Sequence, residues 1–176
     1  MAVNDTLALP LTGKTTGVDH RITLYTMLAT VPKHDAASTA LVHALPGLII
    51  KETHDAATAL LVRMLSIHLH HLLTYGILIP ADVIAVIAKE IHAKPALKRA
   101  FVSVVGAALW GLSINDATRD FAKAIGGALE GCLATTSANP LGSSGALEGY
   151  IAMAVLLGPL AASLGTCLFF WHVHFI

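Results

Sequence analysis

Between His54 and Leu112 the chain combines helical apolar periodicity with Gly and Pro punctuation, a pairing that few folds accommodate. From His54 to Tyr75, Ala57, Leu61, Met64, Leu65 and Leu72 recur at helical intervals, while Arg63, Ser66, His70 and Thr74 fall on the opposite face. This spacing predicts one amphipathic helix with a buried stripe. Gly76 closes it, Pro80 suits the first turn of a second helix over Ala81 to His92, and Lys94-Pro95 opens a third that runs to about Leu112. Helices joined by short turns, with no support for strands, predict an all-α chain of stacked helical pairs, an α-solenoid.

The same reading extends in both directions. Val18 to Val31 is expected to be a helix with Asp19 near its start and Ile22, Tyr25, Leu28 and Ala29 on one face, stopped by Pro32. Its partner runs from about Ala36 to Lys51, where Pro46 predicts a kink or an early break near Ala44. Asn115 or Asp116 caps a helix to about Ala134, Thr135 to Gly145 reads as a long loop, and Ala146 to about Leu164 as a last helix. The first helices of successive pairs start at Val18, His54 and Pro95, spacings of 36 and 41 residues. That lies near the HEAT-type period of about 40 residues. The expected organisation is a disordered lead-in over 1–17, an array of about three HEAT-type pairs plus a half repeat over 18–164, and an atypical apolar tail over 165–176.

With 176 residues and 55% hydrophobic content, burying one core is easy. Only 12% of residues are charged, roughly half the share of an average soluble domain. Lys plus Arg and Asp plus Glu both number 11, so any attraction to nucleic acid or to acidic partners has to be local. Cys132 and Cys167 show no metal or redox spacing and suit a reducing compartment. The first residues lack the pattern of a cleaved targeting signal, which makes the cytoplasm the expected location. Gly149 to Trp171 is free of Asp, Glu, Lys and Arg and long enough for a bilayer, but Gly, Pro, Ser and Thr interrupt it and no basic residue adjoins it. A small tail-anchored membrane protein is therefore the alternative to a scaffold.

Chemistry-bearing patterns are sparse. Ala8 to Thr15 meets only the loosest form of a phosphate-binding loop, with too little chain before it for the required strand. Among His68, His70 and His71, helical geometry sends His68 into the apolar stripe, His71 to its edge and His70 to the far side. Only His68 and His71 have directions that suit a shared metal, and no Cys, Asp or Glu stands at a companion spacing. No nucleophile elbow or carboxylate pair is present, so neither catalysis nor a cofactor is expected. The one local charge feature is Lys89, Lys94, Lys98 and Arg99, with Glu90 the single acid between Val83 and Ile114. Lys94 and Lys98 share a helix face, and this basic edge suits phosphate or an acidic partner.

Four stretches carry a resemblance: Asp19 to Leu28, Leu45 to Ala57 with its Lys51-Glu52-Thr53, Lys89 to Phe101 with its Lys94-Pro95, and Ala146 to Tyr150. Together they resemble the N-terminal HEAT repeats of the general-control translational activator family, over about Val18 to Leu164. The resemblance implies a non-enzymatic, cytoplasmic scaffold that binds ribosomes. With an ABC-type ATPase partner, such a scaffold passes an amino-acid starvation signal to the initiation-factor-two-alpha kinase. Family members are many times longer, and Gly165 to Ile176 does not read as their continuation.

Overall fold

In the computed structural model, which describes residues 17–137, six helices follow one another: α1 (Val18–Leu28), α2 (Asp35–Lys51), α3 (Asp55–Thr74), α4 (Ala81–Ile91), α5 (Pro95–Leu109) and α6 (Asp116–Ser137). No strand occurs among the described residues. The α1 helix packs on α3 and α3 on α5, while α2 packs on α4 and α4 on α6. First helices thus form one layer and second helices the other, the stacking of an α-solenoid. The layers are knit most closely where the second helix of one pair meets the first of the next, α2 on α3 and α4 on α5. The expected last helix from Ala146, the lead-in, the phosphate-loop-like segment and the apolar tail lie outside the described residues.

The helix ends follow from local chemistry. Gly76 takes φ +70°, its N–H bonds the Leu73 carbonyl at 3.2 Å, and the Ile77 N–H bonds the Leu72 carbonyl at 2.9 Å. This Schellman arrangement satisfies carbonyls that α3 leaves open. After α5, Gly111 at φ +68° and a Leu112 N–H bond to the Leu109 carbonyl make a tight type II turn, which ends the helix at Leu109 instead of Leu112. Similar three-residue bonds from Thr30 and Val31 end α1 at Leu28, short of Val31. At the start of α6 the Asn115 side chain accepts from the Thr118 N–H, and the Thr118 hydroxyl accepts from the Asn115 N–H, both at 2.8 Å. This reciprocal cap starts α6 where the sequence indicates.

Pro46 does not break α2, which runs unbroken to Lys51. Its neighbours Leu41, Val42, Leu45 and Ile49 are fully buried, and that burial outweighs the roughly 3 kcal/mol that an interior proline costs a helix. The core is one cluster extending from Tyr25 to Ile125, with α3 at its centre. Long and apolar enough to cross a membrane, α3 instead holds Leu61, Leu65, Leu69 and Leu72 at zero exposure between its neighbours, as a core helix does. Two residues of the face opposite the stripe are less open than Arg63 and Thr74. Ser66 is buried and donates to the Val62 carbonyl, and His70 is half-buried against α5. With α1, α2, α5 and α6 all touching α3, burial spreads beyond a single stripe.

Candidate functional site

The basic residues singled out from the sequence sit around the α4–α5 turn. Lys89 lies in the last turn of α4, Lys94 is the N-cap of α5, and Lys98 lies one turn further on, its N–H bonded to the Lys94 carbonyl at 2.9 Å. Lys89, Lys94 and Arg99 are exposed, Lys98 is half-buried, and Glu90, the single acid in this stretch of sequence, is buried. Among the described residues none of the four cations is paired with a carboxylate. No side chain caps the start of α5 and no acid occupies its first turn. The open N–H groups and the positive end of the helix dipole therefore add to the side-chain charge, an arrangement that attracts anions.

The three histidines of α3 diverge. Buried His68 shares a 3.0 Å hydrogen bond between Nδ1 and the Ser38 hydroxyl, and burial, then His71 and Lys33, push its pKa below the ordinary 6.5. His70 donates from Nδ1 to the Ala108 carbonyl at 3.0 Å, satisfying one of the last open carbonyls of α5. His71 meets the Asp35 carboxylate at 3.3 Å, and its ring lies 4.8 Å from that of Tyr75. The three rings thus tie α3 to α2 and α5, each with its own partner.

A further polar cluster escaped the sequence reading. The Arg21 guanidinium grips both carboxylate oxygens of Glu52 at 2.9 Å, and the Tyr25 hydroxyl donates to the same carboxylate at 3.1 Å. The backbone N–H groups of Thr53 and His54 add bonds of 2.9 and 3.0 Å. Burial works against the Glu52 charge, but Arg21 and these donors overrule it and hold the carboxyl down to about 2. Burial, then the Glu52 charge, push the Tyr25 hydroxyl up to about 12. With sequence separations of 27 to 31 residues, the cluster leaves no local periodic signal. It clamps α1 to the α2–α3 junction.

Beside α3 runs a groove of about 860 Å³. Its floor follows α3 from Ala59 through Val62, Ile67 and Thr74, its far wall is Ser103 and Ala107 of α5 with Trp110 just beyond that helix, and Lys33 reaches it from the α1–α2 loop. Arg63, His70, His71 and Tyr75 complete the polar and aromatic lining. Of these lining residues, Trp110 and Tyr75 are 66% and 70% exposed. Among the described residues no carboxylate lines the groove.

Stacked helical pairs that carry surfaces for contact place this chain in the class of helical-repeat scaffolds. The family model of the general control nonderepressible 1 (Gcn1) N-terminal region matches residues 18–166. The chain belongs to that family, a family of translational control and of helical-repeat scaffolds, not a known enzyme family. No curated protein and no solved structure matches the chain.

Proposed function

We propose that this chain is a non-enzymatic, cytoplasmic scaffold fragment that attaches to ribosomes through phosphate contacts from Lys89, Lys94, Lys98 and Arg99. In this reading it supports activation of the initiation-factor-two-alpha kinase on amino-acid starvation, together with an ABC-type ATPase partner of the longer family proteins. The observation that carries it is the set of unpaired cations around the uncapped N-terminus of α5, on a member of the Gcn1 N-terminal family. Phosphate binding releases condensed counterions, so attachment should weaken steeply with salt.

Ribosome co-sedimentation over a range of salt concentrations tests this. Lys94→Ala with Lys98→Ala should lower binding and flatten the logarithmic salt slope by up to about 2, since each lost phosphate contact removes about one unit. Melting should be unaffected. Unchanged sedimentation by the double variant would remove these residues from the contact. A variant lacking residues 165–176 should remain soluble and bind equally, whereas loss of binding in that form alone would favour the tail-anchored alternative.

A further inference from the structure

The groove along α3 has a chemistry distinct from that of the basic edge. Its lining mixes aliphatic Ala59, Val62, Ile67 and Ala107 with Ser66, His70, Thr74 and Ser103, and its exposed rings sit at the C-terminal ends of α3 and α5. The fixed charges that line it among the described residues, Lys33 and Arg63, are both positive, with Asp35 outside the lining against His71. From Ala59 to Thr74 it follows α3 for about 22 Å, the length of about 15 helical residues. Neither Lys33 nor Arg63 is paired with a carboxylate among the described residues, so both charges are open to a visitor.

We propose that this groove receives an acidic amphipathic peptide segment of a partner protein. The apolar side chains of the segment lie on Val62, Ile67 and Ala107, one of them against Trp110, while its Asp or Glu residues meet Lys33 and Arg63. Large rings that anchor a groove of this kind are the usual centres of binding energy, and complementary charge fixes the partner's direction. A single-stranded nucleic acid fits less well. It requires a continuous cationic track for its phosphates, and among the described residues only two fixed cations line this groove. The basic edge takes no part, because it lies at the N-terminal end of α5 and Trp110 follows the C-terminal end.

Selection from a phage library of random peptides, each about 15 residues to match the groove, tests the proposal against the full 176-residue chain. Enriched peptides should carry Leu, Ile or Phe at three- and four-residue intervals and an excess of Asp and Glu. A labelled enriched peptide should lose about tenfold or more in affinity with Lys33→Glu plus Arg63→Glu, and also with Trp110→Ala, as rim charge and aromatic anchor are removed. Selection against the charge-reversed variant should favour Lys and Arg. Both sites are exposed, so circular dichroism melts should match the parent chain. No enrichment, enrichment without acidic bias, affinity unchanged by the charge reversal, or tighter binding of an oligouridine of matching length would each overturn it. Lys94→Ala with Lys98→Ala should leave the peptide affinity unchanged, which separates this surface from the ribosome contact.

Discussion

At the scale of single residues, Glu52 shows how one buried charge holds elements together. Five donated hydrogen bonds converge on its carboxylate, from Arg21, Tyr25, Thr53 and His54. Because the folded carboxyl is held near 2, below the ordinary 4.5, its contribution to stability is complete above about pH 4.5 and disappears as pH falls toward 2. Glu52→Gln should therefore cost about 2 kcal/mol at neutral pH, at the lower end for bonds to a charged group because Arg21 is partly open to water. Urea titrations at pH 7 and below pH 3 check this: the gap between parent and variant should narrow in acid. A gap independent of pH would mean that the lost bonds matter and the charge does not. In the sequence, Lys51-Glu52-Thr53 pointed to a family without pointing to this role.

At the scale of elements, α3 separates what periodicity determines from what packing adds. Leu61 is fully buried and Arg63 exposed, as the stripe demands. Leu61→Ala should cost about 2 to 5 kcal/mol as transfer and cavity terms add, while Arg63→Ala should stay within about 0.5 kcal/mol. Thermal or urea melts decide, and equal midpoints would refute the orientation of α3. The same periodicity put Ser66 and His70 on the face opposite the stripe, where both line the groove with Arg63 and Thr74, but it did not foresee their burial, which comes from neighbouring helices. Pro46 taught the opposite lesson, since a strong local breaker yielded to the buried leucines around it. Asn115 combines both levels: its cap with Thr118 is local, whereas its Nδ2 also donates to the Leu73 carbonyl at 2.7 Å, joining the start of α6 to the end of α3.

For the whole molecule, stability should rise from the edge of the array to its centre. The α3 helix touches four others, whereas α1 packs chiefly on α3 and has Tyr25 as its one buried residue. Amide hydrogen exchange should be slowest in α3 and faster in α1, which opens by local release of the Glu52 clamp. Glu52→Gln should speed exchange in α1 far more than in α3; equal acceleration throughout would show that the array opens as one unit. The sequence by itself determined the helices, their punctuation by Pro and Gly, the repeat spacing and the basic edge around Lys94. Each of these depends on residues within a turn or two of one another. Only the tertiary structure decided which polar groups are buried, how Arg21 reaches Glu52, and that Lys33, Arg63 and Trp110 share one groove. Those outcomes join residues 30 or more positions apart, where helical periodicity carries no information about which faces meet.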